Sequence, residues 1–249
     1  MKKIALAFSI LAISSIGASA ADLPVKAPVP YVAPAPFSWT GFYVGGNVGA
    51  GVLLDQGFQP QNANDADRHG IGGLAGGQVG YNWQIGMLVL GIEGEGFWSG
   101  MKVTQDQFQG INPGTLFATA SIRNKWDWDI AGRFGVAFDR ALVYGKAGWV
   151  EGGFGWNANV FPLDVVQGSH NLDGLLIGIG LEYAFTNNWT VKFEYDYLGF
   201  PAKDVGFTAL ACPTCTPFTF TQSVSADKHI FKVGFNYLFN AAAPVVAKY

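Results

Sequence analysis

The stretch Lys228-His229-Ile230-Phe231-Lys232-Val233-Gly234-Phe235-Asn236-Tyr237-Leu238-Phe239 decides the fold. Apolar side chains occupy every second position, at Phe231, Val233, Phe235, Tyr237 and Phe239. Polar or small residues stand between most of them. A period of two predicts a β-strand with one apolar and one polar face. An edge strand of a soluble β-sandwich would show the same alternation, but here the apolar face is almost entirely aromatic.

The same strand carries a second pattern. The spacing of Lys232, Gly234, Tyr237 and Phe239 resembles the C-terminal signal by which outer-membrane barrels are recognised for assembly. We therefore predict that these four residues are read by the barrel-assembly machinery.

The start of the chain predicts export. Lys2 and Lys3 precede an apolar core over residues 4–16, and Ala18-Ser19-Ala20 is a small-residue cleavage motif, so residues 1–20 are predicted to be a signal peptide. No later run of about 18 apolar residues would make a transmembrane helix. Five prolines among small residues predict that residues 21–38 form an extended periplasmic linker.

Composition limits the function classes. The 249 residues are enough for one or two ordinary domains, and all-β barrels of this size are often one domain. With 34 glycines and only 13% charged residues, the chain is too apolar and too aromatic for a disordered one. Without Lys2 and Lys3 the chain has 13 basic and 18 acidic residues, a formal charge of −5. Nucleic-acid binding needs a basic face, so no nucleic-acid partner is expected. A secreted soluble β-protein and a membrane barrel remain.

The connections between alternating segments favour the barrel. Eight such segments lie between Thr40 and Phe239, and their connections alternate between short and long. The short ones lie near 85–87, 139–140 and 186–188, and the long ones at 55–70, 99–122, 155–173 and 199–226. We predict an all-β fold: an eight-stranded antiparallel transmembrane β-barrel over residues 39–239, with short periplasmic turns and four long extracellular loops. Residues 240–249 would form a short periplasmic tail.

The aromatic residues fall into two groups at opposite strand ends. Trp83, Phe138, Phe185, Trp189 and Phe239 lie beside the short turns. Trp98, Trp126, Trp128, Trp149 and Tyr197 lie nearer the long connections. Aromatic belts at both membrane interfaces are typical of a spanning barrel, and a soluble sandwich has no reason to sort its tryptophans in this way.

Three stretches carry a family resemblance together with the final strand. They are Trp39-Thr40-Gly41-Phe42-Tyr43-Val44-Gly45-Gly46-Asn47, Gly76-Gly77-Gln78-Val79-Gly80-Tyr81-Asn82-Trp83-Gln84 and Leu90-Gly91-Ile92-Glu93-Gly94-Glu95. They resemble the small outer-membrane β-barrel family of alphaproteobacteria, often called outer-membrane immunogenic proteins. The resemblance covers residues 39–239 and implies an OmpA-like barrel in the Gram-negative outer membrane. Members are described as structural proteins, surface antigens, porins or haem binders.

The polar strand faces predict a charged lumen. Its ion-pair candidates are Glu93, Glu95, Lys125, Asp127, Asp129, Arg133, Lys146, Glu182, Lys192, Glu194, Asp196, Lys228 and Lys232. Seven acids against six bases are nearly balanced, and an unpaired charge in so narrow an interior would be costly. Because an eight-stranded barrel is just wide enough for side chains to fill it, we predict a filled lumen without a wide channel. Acid–base catalysis by these carboxylates is the minor alternative.

The histidines give weak support to other chemistry. His69 and His170 fall in predicted loops and His229 begins the last strand, so none has metal-ligand spacing. Ser169, His170 and Asp173 would be the candidates for an outer-membrane enzyme, and His170 or His229 for a haem receptor. Both are remote alternatives. We expect no enzyme activity, no cofactor and no metal.

Cys212-Pro213-Thr214-Cys215 lies in the last predicted loop. Such a pair can be a redox centre, half of a zinc site or a disulfide. Export through an oxidising compartment favours a disulfide that pins the loop.

The function expected is structural or surface-exposed, with the loops as an antigenic or adhesive surface. Outer-membrane lipid and lipopolysaccharide would surround the barrel, and no motif names an extracellular ligand. The alternative is a porin for small hydrophilic solutes.

Overall fold

A computed structural model describes residues 37–55, 69–108, 116–160, 164–211 and 218–239. The predicted signal peptide, most of the predicted linker, the C-terminal tail and the pair Cys212 and Cys215 lie outside these residues. Those predictions, and the limits of the barrel domain at 39 and 239, stay predictions.

The alternating segments form nine β-strands. They are β1 Gly41–Asp55, β2 His69–Ile85, β3 Leu88–Ser99, β4 Lys102–Phe108, β5 Leu116–Phe138, β6 Ala141–Val160, β7 Asp164–Ala184, β8 Trp189–Ala211 and β9 Phe218–Phe239. None of the residues placed in the structure belongs to a helix long and apolar enough to cross a membrane.

The strands close into an antiparallel ring. Sequence neighbours pair around the sheet, β1 pairs with β9, and β3 pairs with β5. β3 and β4 are two segments of one barrel strand, because both pair with β5 and the ladder continues across the break at Gly100 and Met101. The ring therefore has eight members, which confirms the predicted eight-stranded barrel. A closed ring leaves no unpaired sheet edge within a membrane.

The three short connections are confirmed. β2 turns into β3 at Gly86 with a φ of 63°, and β5 turns into β6 at Asp139 with a φ of 52°. Glycine and aspartate are residues that tolerate this left-handed conformation. The third turn, at residues 185–188, is held by the Thr186 hydroxyl, which accepts the backbone N–H of Trp189 at 2.9 Å.

The long connections differ from the prediction. Residues 99–122, 155–173 and 199–226 were expected to be loops, but β4 to β9 run through most of them. β5 to β9 are 20–23 residues long, about twice the 9–11 residues that span a bilayer. The barrel wall therefore continues well beyond the membrane on the side opposite the short turns.

The pattern of these extensions explains the error. Within the membrane zone apolar side chains face outward and polar ones inward. In the extensions this arrangement is reversed, with apolar side chains inside and polar ones outside. Phe154, Trp156 and Phe207 are buried inside, whereas Asn157 and Asn159 are exposed. A mixed composition suggested loops, although the period of two is kept.

The outer wall in the membrane zone is apolar. Val48, Ile92, Ile179 and Phe235 are among the exposed large side chains. Exposed aromatics lie at both ends of this belt: Trp83, Phe138, Phe185, Trp189 and Phe239 at one, Trp98, Trp128 and Trp149 at the other. This sorting follows the predicted girdles.

Candidate functional site in the barrel lumen

Strand alternation aims a set of charged side chains into the barrel. Twelve of the thirteen predicted lumen residues are buried, each with 4% or less of its surface exposed. They are Glu93, Glu95, Asp127, Asp129, Arg133, Lys146, Glu182, Lys192, Glu194, Asp196, Lys228 and Lys232.

Lys125 is the exception, and the prediction for it was wrong. Its side chain is exposed on the outer wall. The pairing of β5 with β6 shifts register between Asn124 and Trp126, which leaves Lys125 as the extra residue of a β-bulge. A bulge can place two successive residues on the same face of a strand. Alternation extended from Asp127 toward the N-terminus therefore predicts an inward Lys125, and this prediction fails at the bulge.

Lys146 and Lys232 hold the centre of the network. The ammonium of Lys232 lies 2.6 Å from a Glu95 oxygen, 2.9 Å from Glu194 and 2.6 Å from Asp196. Lys146 lies 3.1 Å from Glu95 and 2.9 Å from Glu194. Two cations thus contact three carboxylates, which are contributed by β3 and β8.

Among the residues that the structure describes, one group of acids approaches a metal-binding geometry, and it lies in the same place. Ligand oxygens of Glu93, Glu95 and Glu194 lie within 4.8 Å of one another. Lys146 contacts all three, at 2.9–3.4 Å. The ammonium group therefore occupies the position at which a metal cation would be drawn.

Arg133 holds the end of the network nearer the short turns. One guanidinium nitrogen donates to Glu182 at 2.8 Å, and the other donates to the Tyr43 hydroxyl at 2.7 Å and lies 3.4 Å from Glu93. The Tyr43 hydroxyl in turn donates to Glu93 at 2.7 Å. The Arg133 guanidinium also stacks 3.9 Å from the centre of the Tyr144 ring.

Neutral side chains extend these ion pairs. Asn47 donates to Gln78 at 2.6 Å and to Glu95 at 2.9 Å. Gln78 donates to Asn236 at 2.6 Å, and Asn236 donates to Glu182 at 2.7 Å. The amides thus link Glu95 to Glu182 around the inside of the wall.

Two tyrosines were missed as lumen residues by the sequence analysis. Tyr43 and Tyr144 are buried and hydrogen-bonded to Glu93 and Glu194, respectively. Tyr43 shares its strand parity with Asn47, which was the signal available in the sequence. Glycines make room for both rings, since a Cβ at Gly80 would lie 2.3 Å from the Tyr43 hydroxyl and one at Gly180 would lie 2.3 Å from Tyr144 Cζ.

The external end of the network is a single ion pair among aromatics. Lys228 contacts Asp127, and its ammonium lies 4.7 Å from the ring centre of Phe154 and 4.9 Å from that of Phe200. These rings belong to an apolar cluster that fills the inside of the strand extensions with Trp156, Leu198 and others. A second apolar cluster, which includes Trp39, Val89 and Leu142, lies at the end near the short turns.

Asp129 differs from the other lumen acids. Both of its carboxylate oxygens are buried without a hydrogen-bond partner, and it forms no ion pair with another residue of the described strands. Its strand neighbour across β3 is Glu95, another acid. Among the described lumen carboxylates, Asp129 is therefore the one with neither a hydrogen-bond donor nor an ion-pair partner.

The remote candidates for catalysis and haem binding are dispersed. His69 and His170 lie in strands, not in loops. Ser169 and Asp173 face outward, and Asp173 pairs with Lys203 at 3.0 Å. His170 faces inward, with its Nε2 2.8 Å from the Gly206 carbonyl and its ring 6.1 Å from those of Trp156 and Phe207. His229 bonds Tyr195 on the outer wall at 2.7 Å.

The predicted assembly-signal residues lie on both faces of β9. Lys232 and Gly234 face the lumen, whereas Tyr237 and Phe239 face outward with their rings 5.0 Å apart. Recognition by the assembly machinery stays a prediction.

Comparison with known proteins decides the family. The family model for the outer membrane protein beta-barrel domain matches residues 8–239. The chain belongs to this family. The resemblance stated from the sequence is thereby confirmed, and with it a location in the Gram-negative outer membrane.

Named relatives point the same way. A 31 kDa outer-membrane immunogenic protein of Brucella melitensis is 34% identical over 257 residues, covering 96% of this chain and all of the relative. A 22 kDa outer membrane protein of Rhizobium leguminosarum is 34% identical over 171 residues, 67% of each chain. Among solved structures, the outer membrane protein OprG from Pseudomonas aeruginosa matches 81% of this chain and 97% of its own, at 10% identity and a TM-score of 0.45.

Proposed function

We propose that this outer-membrane barrel is a closed structural protein that presents its external end at the cell surface. The observation that carries the proposal is the stack inside the barrel. Twelve buried charged side chains lie between two buried apolar clusters. A solute that crossed the lumen would have to displace ion pairs in a poorly hydrated interior, which costs several kcal/mol for each charge left alone.

Solute flux tests the closed state. Refolded protein in liposomes loaded with a polysaccharide too large to pass a porin is diluted into iso-osmotic arabinose. We expect no swelling beyond that of protein-free liposomes, with a known porin as the positive control. Swelling of the wild-type liposomes would replace this proposal with the alternative, a porin for small hydrophilic solutes.

The strand extensions support surface presentation. Their outward side chains are polar, and the bulge between Phe200 and Lys203 leaves exposed residues that pair with no neighbouring strand. Such a wall is suited to contact water, antibodies or another cell surface. The exposure of these side chains is the observation that supports an adhesive role.

Labelling on intact cells tests the presentation. Ala202→Cys lies in that bulge, and Asn187→Cys lies in a short turn at the opposite end. In a Cys212→Ser, Cys215→Ser background, a membrane-impermeant maleimide should label Ala202→Cys on intact cells but Asn187→Cys only after permeabilisation. The reverse pattern would mean that the extensions point into the periplasm.

A further inference from the structure

We propose that the outer wall of β4 to β7 carries a binding site for the phosphate groups of an outer-leaflet lipid, built from Lys102, Arg123 and Lys125. These three side chains form the basic cluster. Its ligand class is a phosphorylated glycolipid, of which lipid A is the chemical example used below.

The basic cluster places like charges side by side. Lys102 of β4 is the direct partner of Arg123 on β5, and both side chains are exposed on the outer face. Directly opposed residues have their Cβ atoms about 5 Å apart, and like charges at this spacing destabilise a sheet. Lys125 adds a third cation two residues along β5. None of the three forms an ion pair with another residue that the structure describes, so an anion would relieve their repulsion.

The bulge of β5 creates this arrangement. With regular alternation Lys125 and Trp126 would face opposite sides, but the register shift exposes Lys125 while Trp126 stays outside, over Gly153. The stem of Lys125 lies across Gly155, where an added Cβ would come 3.3 Å from its Cε. The ammonium is thus held at the wall while its methylenes cover the strand.

A groove of about 820 Å³ lies beside the three cations. Asn157, Gln167 and Ser169 add amide and hydroxyl donors to its lining, and the missing Cβ of Gly155 leaves room beside the Lys125 side chain. The described lining residues include no aspartate or glutamate. Guanidinium, ammonium and amide donors together match the oxygen atoms of a phosphate group.

The position of the basic cluster along the membrane normal favours a lipid over a soluble anion as its ligand. Trp128, three residues from Lys125, packs against Trp149 with ring centres 4.8 Å apart in the external aromatic belt. Tryptophans of such belts lie at headgroup level. Three residues of strand span about 10 Å, and less along the membrane normal because barrel strands tilt. The cluster therefore lies where the phosphates of the outer leaflet begin.

The neighbouring outer wall of β7 and β8 offers a matched control. Lys203 on β8 is also an exposed cation of the extensions, but it is paired with Asp173 at 3.0 Å. Removing its charge tests for general electrostatic attraction without touching the basic cluster.

The affinity for lipid A tests the proposal. The mature chain is refolded in dodecyl maltoside, which contains no phosphate, and titrated with diphosphoryl lipid A by native mass spectrometry. The Lys102→Gln, Arg123→Gln, Lys125→Gln variant should bind at least about tenfold more weakly, because it loses the charge-assisted hydrogen bonds. Lys203→Gln should bind as the wild type does. Should the triple variant not show the heat-shifted gel migration of a folded barrel, Arg123→Gln and Lys125→Gln alone should each weaken binding about threefold.

Three outcomes would overturn the proposal. The variants could bind lipid A as tightly as the wild type. Enzymatically dephosphorylated lipid A could bind equally well, which would assign the interaction to its acyl chains. Millimolar inorganic phosphate or dextran sulfate could displace lipid A completely, which would make the groove a site for soluble anions.

Discussion

Arg133 illustrates how one side chain supports the barrel from inside. Its guanidinium contacts Glu93, Glu182, Tyr43 and the face of Tyr144, and it is buried. Arg133→Ala would leave Glu182 without an ion-pair partner among the described residues, and Glu93 with only Lys146 at 3.4 Å and Lys192 at 3.9 Å. Breaking a buried pair in this way costs about 3–5 kcal/mol, so the free energy of unfolding should fall by that order.

The measurement is urea unfolding in lipid vesicles followed by tryptophan fluorescence. The control is Arg123→Ala, an arginine on the same strand that is exposed and has no acidic partner among the described residues. It should change stability by no more than about 0.5 kcal/mol. Equal midpoints for Arg133→Ala and the wild type would show that the lumen charges are not coupled.

Asp129 predicts the opposite response. A buried carboxylate without a hydrogen-bond partner is costly, so Asp129→Asn should leave the unfolding midpoint unchanged or raise it. Asp196→Asn is the matched comparison, since Asp196 lies 2.6 Å from Lys232 and its loss should lower the midpoint. A large loss for Asp129→Asn alone would mean that this carboxylate has a partner of its own.

Single residues also mark the limit of sequence reasoning. The inward position of Lys232, Glu95 and ten other charged residues followed from alternation, because a strand has only two faces. The outward position of Lys125 did not follow from alternation, because no residue type in this stretch marks the bulge. Tyr43 was overlooked because an aromatic ring is compatible with either face of a membrane strand.

Among the elements, β5 contains the bulge at Lys125. Deleting Lys125 would remove the bulge and leave a regular strand, because Trp126 already faces outward and Asn124 inward. Ile122 would stay inward and Arg123 outward, and the pairs of β5 with β6 would be kept. We expect the free energy of unfolding, measured as above, to stay within about 0.5 kcal/mol of the wild type's, because only an exposed residue is lost.

The control for the deletion is Lys125→Ala, which keeps the bulge and removes only the side chain. It should unfold as the wild type does, since this lysine is exposed. A midpoint lowered by the deletion but not by the substitution would contradict this expectation and show that the bulge itself supports the wall.

The strand extensions show what composition cannot reveal. The ends of β6 and β7 contain Asn, Gln, Ser and His, which are common in loops, yet they pair residue by residue from Ala141 with Tyr183 to Val160 with Asp164. Their interior is packed by Phe154 and Trp156, so the period of two survives with its sense inverted. The three short turns were predictable because each connects strands through two to four residues with turn chemistry.

At the scale of the whole molecule, the barrel is a layered column. Outward, an apolar belt between aromatic girdles matches a bilayer. Inward, ion pairs lie between two apolar clusters. The described strands bury seven acids and five bases, so the negative charges outnumber the positive ones. Asp129 is an acid that lacks a partner as a result.

The claim that this column is closed is tested most directly by single-channel recording of the refolded wild-type protein in a planar bilayer. A lumen filled by paired charges predicts a silent bilayer, with no steady current steps above those of lipid alone. Reproducible openings of constant conductance would contradict the account, because ions would then be crossing between Arg133, Lys146 and Lys232.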